Sequence, residues 1–98
     1  MVTPSMMNTV SNDEVARIFI EMAEALQLKG PDPFRVRAYE NAVRTILQLE
    51  EPLGEIRARG ALRDLPGIGQ GLAAKIEEIL DTGHLRAHDE AMQQFPPG

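Results

Sequence analysis

The chain has 98 residues, 43% of them apolar, and a formal net charge of −5, which allows one small core. It has no cysteine, which excludes disulfides, thiolate metal sites and cysteine nucleophiles. No apolar run approaches the roughly 18 residues of a membrane span, and the opening residues lack the charged-then-apolar plan of a signal peptide, so a cytoplasmic protein with no membrane partner is expected.

Residues 1–11, rich in Met, Thr, Ser and Asn without a period, read as a mobile tail. Ser11, Asn12 or Asp13 can cap a helix, and Asp13 and Glu14 suit its dipole. Val15, Ile18, Phe19, Met22 and Leu26 follow at helical spacing, predicting an amphipathic helix to about Lys29 that Gly30-Pro31 stops. Glu21 and Glu24 are expected on its solvated face. Asp32-Pro33 starts a second helix, with Asp as cap and Pro at the first position, running to about Leu49. Val36, Tyr39, Val43, Ile46 and Leu47 form its apolar stripe, and Arg37, Glu40, Asn41 and Arg44 a polar one. Periodicity makes Tyr39 a core aromatic with its hydroxyl at the surface. Pro52 begins a short helix with Leu53 and Ile56, which Gly60 ends.

Ala61 to Leu65 make another short helix, and Gly69 to Asp81 a longer one with Leu72, Ile76, Ile79 and Leu80 inward and Gly83 as its cap. His84 to Gln94 can form a last, more polar helix, and residues 95–98 an interrupted connection. There is no strand pattern and no repeat. The expected fold is all-α, a domain of four to five helices over 12–94 with a helix-hairpin-helix at 61–81.

The chemistry concentrates where these last helices meet, in Leu65-Pro66-Gly67-Ile68-Gly69-Gln70-Gly71-Leu72-Ala73-Ala74-Lys75-Ile76. Pro66 ends the first helix, and the glycines permit positive φ and close approach of another backbone. The next helix starts within two residues, so several unpaired N–H groups lie together at its dipole-positive end. That is a place for an anion, and phosphate is the expected one.

The net charge of −5 argues against a DNA binder, and its distribution softens that objection. Residues 35–75 carry Arg35, Arg37, Arg44, Arg57, Arg59, Arg63 and Lys75 against Glu40, Glu50, Glu51, Glu55 and Asp64, a balance of +2, whereas residues 76–98 carry Arg86 against Glu77, Glu78, Asp81, Asp89 and Glu90. A weak positive patch predicts weak, salt-sensitive binding to DNA. His84 and His88 stand at i, i+4, a spacing that can bind a metal, but a zinc site wants a third ligand, so both are read as surface histidines. Lys75, one turn into the second hairpin helix and beside its apolar stripe, is one of only two lysines. An amine crowded by positive charge gives up its proton more readily, and a neutral amine can form a Schiff base with an aldehyde such as a ring-opened abasic sugar. The plainer reading is a point-charge contact to phosphate.

The run L-P-G-I-G-x-x-L-A-x-K-I resembles the helix-hairpin-helix motif, which grips a DNA backbone without reading bases. Residues 12–98 as a whole resemble the amino-terminal 8-kDa domain of family X DNA polymerases, the group containing DNA polymerase beta, and most of all its bacterial branch. The segments that carry this are Asn12 to Phe19, Asp32 to Tyr39 with Ala42 to Ile46, and the hairpin through Leu85. The resemblance implies binding to the 5′-phosphate side of gapped or nicked duplex DNA in base-excision or gap-filling repair. It implies Lys75 as the Schiff-base lysine of a deoxyribose-phosphate lyase, with Tyr39 shaping its pocket. Arg35 and Arg63 match basic phosphate contacts, with Arg37 a further steering charge. Gly67, Ile68, Gly69, Gln70 and Gly71 form the phosphate-gripping backbone. The carbonyls of Arg63, Leu65 and Ile68 match those that hold Na⁺ or K⁺ against a DNA phosphate.

The sequence also departs from the beta-type pattern. Gly71 and Ala87 replace lysines, Phe34 replaces a histidine, and Glu40 and Asn41 replace basic residues. No Asp-x-Asp occurs, so polymerisation and its Mg²⁺ are assigned to missing carboxy-terminal domains, and the chain reads as a monomeric amino-terminal piece with no cofactor of its own. Two other functions fit the residues: a DNA-binding module without chemistry, and a helical protein–protein adaptor, which the acidic total suits.

Overall fold

The computed structural model describes residues 10–30 and 32–94, and within them all regular structure is helical. The elements are α1 (Asn12–Lys29), α2 (Pro33–Leu47), α3 (Leu53–Ala58), a single 3₁₀ turn (Leu62–Asp64), α4 (Gln70–Thr82) and α5 (Arg86–Gln93). The proposed tail over 1–9 and the connection at 95–98 lie outside the described residues.

The paired helices α1 and α2 form the body of the fold, with Phe19 and Tyr39 meeting edge to face at 5.3 Å between ring centroids. Val15, Ile46, Leu53, Ile56, Ile76 and Ile79 complete the fully buried centre, to which every α-helix except α5 contributes. The last helix adds Ala91, and Leu85 just before it is buried too.

The folded part begins earlier than the tail assignment supposed. Val10 packs against the core, and Ser11 is the cap of α1, its Oγ accepting the Glu14 N–H at 3.1 Å. Asn12, freed from capping, reaches across to α3: its Oδ1 accepts the Leu53 N–H at 2.9 Å and its Nδ2 donates to the Glu51 carbonyl at 3.0 Å. A six-residue helix cannot stand alone in water. Asn12 anchors its start, and Arg57 anchors its end by a bidentate pair with Asp81 of α4 at 2.6 and 3.1 Å.

Three boundaries move for local reasons. α2 ends at Leu47 rather than Leu49, the Gln48 and Leu49 amides closing onto Thr45 and Ile46 in a tightened last turn. The first hairpin helix shrinks to one 3₁₀ turn. α5 starts at Arg86 rather than His84, because the Glu78 carboxylate accepts the Arg86 N–H at 2.7 Å and so fixes where the helix opens.

His88 is a correction as well. It is buried, not a surface histidine, and its Nε2 lies 2.6 Å from Glu21 of α1. Glu21, placed on a solvated face by its sequence position, is therefore the half-buried partner that docks α5 on α1. His84 does stay exposed, beside Asp89 at 3.0 Å. Among the described residues no three His, Cys, Asp or Glu side chains gather as a metal site, and no helix is long and apolar enough to cross a membrane.

Candidate nucleic-acid interface

The hairpin takes its shape from where its hydrogen bonds can go. In the 3₁₀ turn the Asp64 N–H bonds to the Ala61 carbonyl and the Leu65 N–H to the Leu62 carbonyl. The next donor in that series would be Pro66, which has no N–H, so the Arg63 carbonyl is left open. Gly67 then takes φ +79°, a left-handed conformation that costs a residue with a Cβ roughly 1–2 kcal/mol. This reversal brings the Ile68 N–H onto the Leu65 carbonyl at 3.1 Å and buries the Ile68 side chain.

The tip is held against α2. Thr45 Oγ1 donates to the Pro66 carbonyl at 2.7 Å, and a Cβ on Gly67 would lie 3.6 Å from Asn41 Cβ. Beyond Ile68 the chain enters α4 through an extended Gly69 that carries no side-chain cap. The first bond of the helix is Ala73 N–H to the Gly69 carbonyl, so the Gln70, Gly71 and Leu72 amides point out of a bare helix start. No Cβ at Gly69 or Gly71 would meet anything within 4 Å, which leaves the approach to these amides clear.

The predicted site residues sort into two groups. Gly69, Gln70 and Gly71 share the open end of α4, but the Ile68 amide assigned to the same grip is spent inside the turn. Of the three carbonyls expected to hold a monovalent cation, those of Arg63 and Ile68 accept no backbone N–H among the described residues, and that of Leu65 accepts one and keeps a lone pair. This donor set fits a weakly held monovalent ion.

Arg35 and Tyr39 form the second group. The Tyr39 ring is core, 3% exposed, and burial pushes its phenol up, with the Arg35 guanidinium one turn earlier working against that shift. Arg35 also lines a groove of about 180 Å³ with Lys29 of α1 and Ala87, Glu90 and Gln94 at α5. Lys75 is half-buried on the flank of α4, one turn before the Glu78 that caps α5. Arg35 therefore borders the last helix, and among the described residues no hydrogen bond or ion pair joins it to Lys75.

Arg37 does not belong to that groove. Two residues on from Arg35, it faces the opposite side of α2 and lines a separate groove with Asp32 and Glu40. Arg63 is exposed on the 3₁₀ turn. Phe34, 81% exposed at the start of α2, is the most exposed large apolar side chain among the described residues.

An all-helical domain whose bare helix start follows a glycine hairpin presents main-chain amides at the positive end of a helix. The matches to known proteins make this specific. Residues 10–85 match the model of the helix-hairpin-helix domain, and the chain belongs to that family. Over 85 residues it is 28% identical to the DNA polymerase/3′-5′ exonuclease PolX of Bacillus subtilis (strain 168), covering 87% of this chain and 14% of that protein. Over 75 residues it is 29% identical to DNA polymerase lambda of Rattus norvegicus, covering 76% of this chain and 12% of that one. The resemblance to the amino-terminal domain of the family X polymerases thus holds for the domain, and the chain spans only a small part of these relatives' length.

Proposed function

We propose that this domain binds gapped or nicked duplex DNA by the phosphate at the 5′ side of the break, as the amino-terminal piece of a bacterial family X repair polymerase. The observation that carries the reading is the uncapped α4 start behind the left-handed Gly67, with its Gln70, Gly71 and Leu72 amides open. A phosphate there would meet three N–H donors and the helix dipole. Arg63 and Lys75 flank it and supply the charge that main-chain amides lack. A Na⁺ or K⁺ on the Arg63, Leu65 and Ile68 carbonyls would bridge the turn to a phosphate oxygen.

Lys75 carries the chemical part of the proposal. Its amine attacks the aldehyde carbon of a ring-opened abasic sugar and expels water, leaving an imine. The imine acidifies the adjacent C2′ hydrogen. Loss of that proton breaks the C3′–O bond and releases the phosphorylated strand, after which water returns the amine. Tyr39 acts through Arg35, which it helps to place.

The test is a titration of gapped duplex with and without the 5′-phosphate. The reading expects tighter binding with the phosphate and a loss of affinity as salt rises; no binding at low salt would leave a helical adaptor as the better description. Borohydride trapping on a 5′-abasic duplex tests the lyase. An adduct abolished by Lys75→Ala supports it, and no adduct reduces Lys75 to a phosphate contact.

A further inference from the structure

Thr45 ties the hairpin to α2, and the groove so formed has about 480 Å³ lined by Asn41, Arg44, Thr45 and Gln48 on one side and Pro66-Gly67 on the other. Arg37, Asn41, Arg44 and Gln48 recur at i, i+4, i+7 and i+11 and are all exposed, so they form one polar stripe down the outer face of α2. No carboxylate lines this groove. In a chain of net charge −5 that is a distinguishing feature: the neighbouring grooves along α1 and α2 carry Asp32 and Glu40, or Glu24 and Glu40. Arg44 makes no ion pair among the described residues. Among the described residues its only side-chain hydrogen bond is to the Asn41 side-chain oxygen at 3.3 Å, which leaves its other guanidinium donors open.

We infer that this groove is a second phosphate site, in which Arg44, with the Asn41 and Gln48 amides, holds an internal phosphodiester of the same DNA that the hairpin grips. The inference rests on the phosphate reading of the hairpin and extends its footprint onto α2. The chemistry favours a polyanion over a protein partner, because the groove offers a cation and neutral donors and no acid. The Thr45–Pro66 bond fixes the spacing between the two contacts, so they act as one rigid surface.

The assay is a salt series with the full chain on gapped duplex, with and without the 5′-phosphate, for the unsubstituted chain, Arg44→Gln, Arg44→Lys and Arg17→Gln. Arg17 lies on α1 between Glu14 and Glu21 and controls for the loss of one charge. One phosphate contact contributes about 0.9 to the salt slope, which is about eight-fold in affinity at 0.1 M. Arg44→Gln is expected to weaken both DNAs about eight-fold and to lower the slope by about one. Arg44→Lys should restore most of the slope, and Arg17→Gln should do little. The ratio between phosphorylated and unphosphorylated DNA should not change, because an internal phosphodiester is present in both. Arg44→Gln matching Arg17→Gln in affinity and slope, with the unsubstituted chain still binding, overturns the α2 site and leaves the hairpin reading intact. An unsubstituted chain that does not bind overturns both.

Discussion

Gly67 and Gly69 sit two residues apart in the hairpin, and alanine at each should do opposite things. Gly67 has φ +79°, and its nearest neighbour for an added Cβ is Asn41 Cβ at 3.6 Å, an ordinary contact. The methyl fits; the backbone angle does not suit it. The left-handed conformation costs about 1–2 kcal/mol, and the stiffer unfolded chain of alanine returns roughly 0.4–1 kcal/mol. Gly67→Ala should therefore lose about 1 kcal/mol, a Tm drop of roughly 4–8 °C for a domain of this size. Gly69 has φ −86° and no neighbour within 4 Å. Gly69→Ala should keep its Tm within about 2 °C, since a weaker cap and a stiffer unfolded chain offset each other. Its methyl projects beside the open amides, so affinity for 5′-phosphorylated gapped DNA should fall several-fold. Thermal melts by circular dichroism and anisotropy titration of both variants supply the test. An unchanged Tm in Gly67→Ala would show that the turn does not need its left-handed residue. Gly69→Ala binding as the unsubstituted chain does would show that the phosphate is not held at α4.

Three further outcomes are expected. Gly71→Lys should leave stability nearly unchanged, because helix propensity gains up to about 1 kcal/mol and a cation at the positive end of the dipole costs about 0.3–1 kcal/mol, while the salt slope of DNA binding steepens by about one. Thr45→Val should cost about 1 kcal/mol in chemical denaturation by removing the bond to the Pro66 carbonyl, and should weaken DNA binding because the tip is no longer fixed. The Arg57 guanidinium holds the Asp81 carboxyl below its usual range. Folded Asp81 is thus the stronger acid, so the pair supports the fold above the ordinary carboxylate pKa of about 4 and loses that support as pH falls through the lowered value. Asp81→Asn should remove that part of the acid sensitivity, read as a flatter Tm against pH below about 4.

What sequence could foresee here follows from the range of the interactions. Helix spans depend on periodicity and on caps within a few residues, so Asn12–Lys29 and the left-handed Gly83 cap were within reach. The 3₁₀ turn was harder. Ala61 to Leu65 are compatible with a helix, and it is Pro66, lacking an N–H, that stops the ladder after two bonds. His88 and Glu21 lie 67 residues apart, and no local pattern marks a histidine as the dock for a distant carboxylate. Arg44 belongs with these: it reads as one polar residue on a stripe until Thr45 brings the hairpin beside it.

Net charge misled for a related reason. A total of −5 counts every carboxylate as if it stood free in the field of the protein. In the fold Glu51 is held by Arg59, Asp81 and Glu77 by Arg57, Glu21 by Arg17 and His88, and Glu78 by the start of α5. The cations outside such pairs among the described residues include Arg37 and Arg44 on the outer stripe of α2, Arg63 on the 3₁₀ turn and Lys75 on α4. A phosphate senses charges within about a Debye length, roughly 10 Å at 0.1 M salt. Arg63 and Lys75 stand within a few residues of the α4 amides along the chain, as does the exposed Asp64. An acidic chain can hold a polyanion when its carboxylates are occupied elsewhere, and the number that governs affinity is the salt slope, which counts only the cations that meet phosphate.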